Sequence, residues 1–266
     1  MENSYKLAIN DIYQSCKKYN LIHELSYNDI KQRYRRTILG PLWISLGIAA
    51  TILGLGILFG FIFNQKNVSY LPYLAVGMVF WTFISGVISE GCDSFIAMQS
   101  VIKQIYLPYS IYVFRVICRN LYLLAHNLII IIVIFQFFNI EVFNFNIYVI
   151  PQFILGIINL VWMAYILAII STRYRDINPI INNGLQLIFY LTPIIWMTEQ
   201  VKDNIYINTF MNYNPFYYII MALRSIIEGN IMMHTHVWIL LIMAIGGFII
   251  TFLVFSFSYK RIAFWL

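Results

Sequence analysis

Leu42-Trp43-Ile44-Ser45-Leu46-Gly47-Ile48-Ala49-Ala50-Thr51-Ile52-Leu53-Gly54-Leu55-Gly56-Ile57-Leu58-Phe59-Gly60-Phe61-Ile62-Phe63 runs without a charged side chain and is long enough to cross the roughly 30 Å hydrocarbon core of a bilayer as one helix. Five more apolar segments qualify on length, at approximately Tyr70 to Ser89, Val113 to Phe138, Ile147 to Ile170, Pro179 to Met197 and Val237 to Ser258. Inside lipid each must be helical, because backbone groups find no water there. The sequence therefore predicts an all-α, polytopic membrane protein: a six-helix membrane domain over 42–266 behind a polar N-terminal arm at 1–41. Composition agrees, since 61% hydrophobic residues, 11% charged residues and a mean hydropathy of +0.76 exceed what one soluble core could bury.

Charge orients the spans. Of 17 Lys and Arg, only Lys66, Lys202 and Arg224 fall on one alternating set of connections. The other set holds Lys6, Lys17, Lys18, Lys31, Arg33, Arg35 and Arg36 in the arm, Lys103, Arg115 and Arg119, then Arg173, Arg175, Lys260 and Arg261. By the positive-inside rule this set is cytoplasmic, and so are both termini. That placement explains the net charge of +6 without a nucleic-acid partner. Cys16, Cys92 and Cys118 have neither disulfide nor metal spacing. No apolar core precedes a cleavage site near the start, so the first span is expected to act as the targeting element.

The arm ends in Leu21 to Arg36, where Leu21, Ile22, Leu25, Ile30 and Tyr34 recur at imperfect helical spacing among basic residues. This predicts an amphipathic helix on the cytoplasmic surface, broken by Gly40-Pro41. Its arginines read as topogenic, as contacts to lipid phosphate, or as cargo contacts. Asn214-Pro215 and Gly229 bracket a second helix, Phe216 to Glu228, too short to span. It is either re-entrant on the outer face or flat in the headgroups, with Tyr217 and Tyr218 as anchors. Asn182, Asn183 and Gln186 in the fifth span, with His126, Asn127 and Gln136 in the third, read first as interhelical bonding groups. Gly56 and Gly60 read as a site of close helix contact.

Several chemistries have no support. No Asp or Glu falls in a span core, which disfavours coupling to an ion gradient. A Gly-x-x-x-x-Gly-Lys-[Ser/Thr] loop is missing, so ATP would have to be hydrolysed by another subunit. His23, His126, His234 and His236 give no metal-binding pair on one helix face. A membrane-embedded transferase remains a rival, with Asp176, Arg173 and Arg175 as its constellation. The aromatic content of 18% fits interfacial belts and would also suit sugar rings stacking along a channel.

Six strings, in order along almost the whole chain, carry a resemblance. They are Arg33-Tyr34-Arg35-Arg36-Thr37-Ile38-Leu39-Gly40-Pro41-Leu42-Trp43, Ile102-Lys103-Gln104-Ile105-Tyr106-Leu107-Pro108, Tyr174-Arg175-Asp176-Ile177, Leu191-Thr192-Pro193-Ile194-Ile195-Trp196, Asn212-Tyr213-Asn214-Pro215 and Tyr259-Lys260-Arg261-Ile262-Ala263-Phe264-Trp265-Leu266. Together they resemble the ABC-2 type permeases that export cell-surface polysaccharides, O-antigen exporters above all, with teichoic-acid and capsule exporters as relatives.

The resemblance implies a homodimer in the bacterial inner membrane, working with two copies of a P-loop nucleotide-binding subunit that would hold ATP and Mg, and no cofactor in this chain. The implied cargo is a glycan on a polyprenyl or other lipid anchor; exporters of drugs or other lipids would share the architecture. It further implies an ATPase-coupling helix at about 91–107, with Asp93, Ser94, Gln99, Lys103, Gln104 and Tyr106 as exposed candidates. Arg33, Tyr34, Arg35 and Arg36 would form the cargo entrance, Trp43, Tyr190 and Trp196 would line the channel, and the helix at about 216–228 would take the place of an outer gate.

Overall fold

A computed structural model describes residues 2–35, 37–38, 40, 42–62, 67–140, 146–198, 204–229 and 231–266. Among these, the regular elements are α1 (Glu2–Lys17), α2 (Tyr19–Arg33), α3 (Leu42–Ile62), α4 (Asn67–Asp93), α5 (Gln99–Gln104), α6 (Ser110–Phe137), α7 (Val149–Arg173), α8 (Ile177–Leu191), α9 (Ile205–Tyr213), α10 (Pro215–Glu228), α11 (His234–Ser258) and α12 (Ile262–Trp265), plus short 3₁₀ turns. Five of them, α3, α4, α6, α7 and α11, are long and apolar enough to cross a membrane. Lys66 and Lys202 lie outside the described residues.

The axis of the bundle is α4, whose most apolar stretch is 72% buried, against 17% for α3 and 22% for α11. Helices α3, α6, α7, α8 and α10 all pack on it. Small residues set the approach: a methyl on Gly91 would lie 2.9 Å from the Ala164 Cβ of α7, and one on Gly56 would lie 2.3 Å from Leu71 Cδ2. Without a hydrophobic drive between helices in lipid, such close packing supplies the association.

Both chain ends meet at one end of this bundle. The helix α1, absent from the sequence reading because its Leu7, Ala8 and Ile12 stripe is short, packs on α11 and α6. Its Asp11 accepts from Tyr109 N (2.7 Å), Ser110 N (2.9 Å) and Ser110 Oγ (2.6 Å). A carboxylate there satisfies orphan donors at the start of α6. Burial nonetheless holds the Asp11 carboxyl above the usual carboxylate range, opposed by those same hydrogen bonds. The C-terminal Leu266 carbonyl accepts from Gln99. We call this the basic end, since Arg33, Arg115, Arg119 and Arg173 cluster there.

The segment expected as the fifth span, Pro179 to Met197, differs in form from expectation. The helix stops at Leu191, and Thr192 turns extended at φ −98° and ψ 141°, as the residue before Pro193 must. At 15 residues, α8 reaches only about 22 Å. From Thr192 the chain runs on without helix beside α4. Asn178 Nδ2 donates to Asp93 Oδ1 at one end of α4 (2.5 Å), and Tyr70 Oη donates to the Ile195 carbonyl at the other (2.6 Å). Tyr73 Oη donates to the Pro193 and Trp196 carbonyls (3.0 and 3.1 Å). These hydroxyls give irregular backbone the partners it needs at that depth.

Helix α10 is re-entrant rather than flat on the surface. Asn214 caps it by accepting from Phe216 N (3.0 Å), Pro215 opens it, and Gly229 at φ +69° closes it. Phe216 meets Trp81 of α4, and Leu223 lies against Gly156 of α7. Trp81 is eleven residues in from Tyr70, about 16 Å along the helix. Tyr217 and Tyr218 are buried and so are not headgroup anchors.

Candidate functional site

At the basic end, α2, α4 and α6 hold three arginines and two carboxylates. The amphipathic stripe of α2 supplies the docking: Ile22, Ser26 and Ile30 are buried, and Ser26 Oγ donates to the Arg115 carbonyl (3.0 Å). One turn on, Asp29 faces Arg115 Nε at 3.0 Å and accepts from Arg119 Nη1 at 3.1 Å. The Arg115 N–H is not aimed at the carboxylate, so that contact is an ion pair without a hydrogen bond. Glu90 of α4 takes Arg119 Nη2 at 2.7 Å and Asn120 Nδ2 at 2.6 Å.

Arg33 is the uncommitted member. It ends α2, reaches Glu90 only at 3.6 Å, and its side chain is 59% exposed. With Asp29, Gln32, Tyr34 and Arg119 it lines a cavity of about 270 Å³. Burial raises the Tyr34 hydroxyl above its ordinary range, so it stays a neutral donor. A guanidinium fork with a neutral phenol beside it suits phosphate oxygens. Arg35 is exposed next to them, and Arg36 lies outside the described residues.

Above this cluster the polar face continues along the membrane axis. Gly56 of α3 meets Leu71 and Leu74 in the far half of α4. Counting back along the antiparallel pair brings the start of α3 level with about Ser85. Below that point nothing of α3 covers α4, and Thr82, Ser85, Ser89 and Glu90 are half-exposed. On α8 next to them, Asn182, Asn183, Gln186 and Tyr190 are exposed. Polar groups at this depth are expensive in lipid and are tolerated against protein or a polar cavity.

The expected interhelical bonding is found for Asn127, which accepts from Ser45 Oγ of α3 (2.9 Å), and for Asn178 with Asp93. Asn182 bonds only along its own helix to Asn178, and His126 to its own Tyr122 carbonyl. Among the channel candidates, Trp43 is 55% exposed on α3 and Tyr190 is 58% exposed on α8. Trp196 sits apart from the basic end, half-buried, donating Nε1 to the Tyr190 carbonyl (3.0 Å).

The segment 91–107 is not one helix. The last turn of α4, a 3₁₀ turn at Ile96–Met98 and the six-residue α5 share it. Ser94 is buried, contrary to its expected exposure, and Asp93 is tied to α8. Gln99 is half-buried and engaged by the C-terminus. Lys103, Gln104 and Tyr106 remain as an exposed knuckle, Tyr106 at 86%.

Residues 20–227 match the ABC-2 type transporter family. The chain belongs to that family. It is also similar to two proteins of Klebsiella pneumoniae, each called O-antigen export system permease protein RfbA. One is 23% identical, over 88% of both chains; the other is 21% identical, over 84% of this chain and 85% of the relative. A Myxococcus xanthus protein of the same name is 24% identical over 73% of this chain and 75% of its own length. The chain is thus an ABC-2 transmembrane subunit, multi-pass in the membrane, of the kind that pairs with a separate ABC nucleotide-binding subunit.

In this ABC-2 permease the sequence reading picked out Arg33, Tyr34 and Arg35 but missed Asp29, Glu90, Arg115, Arg119 and Asn120 as parts of the same constellation. In the sequence Arg115 and Arg119 read only as orienting charges. Their spacing of four on α6 was the available signal, since it places both guanidinium groups on one face.

Proposed function

We propose that this ABC-2 permease carries a lipid-linked polysaccharide of O-antigen type from the cytoplasm across the bacterial inner membrane, as a homodimer driven by two copies of a P-loop ATPase. The basic end and both termini face the cytoplasm. One observation carries the reading: Arg33 and Arg119, which line a cavity at that end, both reach Glu90, and from Glu90 a strip of half-exposed hydroxyl groups runs along α4 beside the exposed amides and Tyr190 of α8. Arg33, Tyr34 and Arg35, with Arg36 beside them in sequence, receive the phosphates of the lipid anchor. The sugar chain follows along Thr82, Ser85, Gln186, Trp43 and Tyr190, with Trp196 nearer the outer mouth and α10 beneath the outer gate. Residues 1–41 form the docking arm and 42–266 the membrane domain.

ATP and Mg belong to the partner, and this chain supplies a path with no bond chemistry. The partner docks on Lys103, Gln104 and Tyr106, and Asp93, Ser94 and Gln99 brace that knuckle against α8 and the C-terminus. Movement then passes into α4 and α8. The RfbA relatives, named as O-antigen export permeases, support this cargo over a drug or a simple lipid. Loss of the gene should leave lipid-linked glycan on the cytoplasmic face of the membrane and strip the cell surface of it. An unaltered surface glycan in the null strain would reject this cargo.

A further inference from the structure

Arg224 stands at the opposite end of the molecule from every other described arginine and has no described function. It is on α10, is 5% exposed, and its guanidinium stacks over the Tyr73 ring of α4 at 4.1 Å. Among the described residues no carboxylate lies within ion-pair distance, and its Nε and Nη2 have no hydrogen-bond partner. A buried cation normally pairs or coordinates, because desolvation of an isolated charge is costly. The aromatic face offsets only part of that cost.

The fold builds room for the missing partner. Arg224 lines a cavity of about 120 Å³ together with Tyr73, Thr198, Tyr217, Ser225 and Glu228. A water needs about 10–15 Å³ of such volume, so the space admits a group the size of a phosphate. Gly77 makes the position possible: a methyl there would fall 2.1 Å from Arg224 Nη2. Glu228 is exposed at the edge of the cavity, four residues on from Arg224.

We infer that the Arg224–Tyr73 cavity is an anion site for a phosphate carried on a membrane lipid, at the end of the bundle away from the basic vestibule. This goes beyond the cargo assignment, because the chemistry is the same whether the phosphate belongs to a resident phospholipid or to a polyprenyl anchor arriving across the membrane. The Arg224 guanidinium and the Tyr217 phenol, which both line this space, are donors suited to phosphate oxygens, whereas the Ser225 hydroxyl is already committed to the Ala222 carbonyl (2.7 Å). Planar bidentate recognition also predicts that lysine is a poor substitute.

The test uses the full-length permease, purified with its ATPase in detergent, with Arg33→Gln and Arg35→Gln in every protein compared, the one that is wild type at position 224 included, so that the vestibule makes no phosphate contact; it titrates three probes: phosphatidylglycerol, undecaprenyl phosphate and undecaprenol. Wild type should bind one or both phosphorylated lipids at least tenfold more tightly than the alcohol. That preference should vanish in Arg224→Gln, fall several-fold in Arg224→Lys, and fall in Gly77→Ala, which keeps the charge but displaces the guanidinium. The relative affinity of the two phosphorylated probes identifies the source. Should Arg224→Gln fail to fold, the other two variants and the wild-type preference decide. Equal affinity of wild type for undecaprenol and undecaprenyl phosphate, or a preference unchanged in folded Arg224→Gln, would overturn the inference. None of these outcomes bears on the cargo reading, which rests on the basic vestibule.

Discussion

Removing one charge at the basic end, Asp29→Asn, isolates the force that holds the arm to the membrane domain. Asp29 faces Arg115, whose side chain is 5% exposed, and also pairs with Arg119. Arg119 keeps Glu90 when Asp29 goes; Arg115 keeps no carboxylate within 4 Å among the described residues. Breaking a buried pair by removing one partner costs about 3–5 kcal/mol, and the 19% exposure of Asp29 puts this case at the low end, about 3 kcal/mol. At about 1.4 kcal/mol per decade, the opening of α2 away from α6 should become roughly a hundredfold more frequent. Hydrogen–deuterium exchange in lipid nanodiscs reads this directly: the amides of 19–33 should lose about two decades of protection while those of α7 and α11 stay unchanged. Arg115→Met in the same background should recover most of the loss, because the uncompensated charge is then gone. Unchanged protection of α2 in the single variant would refute the claim that this pair anchors it.

Three further predictions address packing, capping and coupling. Gly91→Ala should destabilise the bundle by about 1–3 kcal/mol, because its methyl meets Ala164 Cα at 3.0 Å and that backbone has no room to yield. Gly184→Ala, where a methyl meets nothing within 4 Å, should cost nothing, and thermal melts in detergent compare the two. Asn214→Ala removes both the cap of α10 and the 3.0 Å bond to Thr192 Oγ1, a loss of about 1–2 kcal/mol. A melting temperature equal to wild type would show that the cap contributes nothing. Lys103→Glu combined with Tyr106→Ala should abolish co-purification of the ATPase without lowering the yield of folded permease; retained association would remove this knuckle from the docking surface.

Hydropathy and charge made most of the fold legible, because a bilayer leaves the backbone few options. The form of the segment expected as the fifth span was harder to read. Thr192-Pro193 sits inside an apolar run, and hydropathy does not register that the pre-proline backbone is extended there or that two tyrosines of α4 donate to the carbonyls that follow. The re-entrant path of α10 was one of two readings, decided only by packing against Gly77 and Gly156, since burial of Tyr217 and Tyr218 has no local sequence cause. At the vestibule the basic string at 33–36 was visible as such. The Asp29 and Glu90 partners were not, because they come from α2 and α4, and one sequence gives no pairing between distant segments.

Transport in reconstituted vesicles tests the central claim most directly. Permease alone, and permease with its ATPase, would be placed in proteoliposomes loaded with lipid-linked glycan, and the appearance of sugar on the opposite leaflet followed by lectin binding. The account predicts movement only when the ATPase and ATP are both present, with no nucleotide turnover by the permease alone. Movement without the ATPase, on an ion gradient or on none, would contradict it.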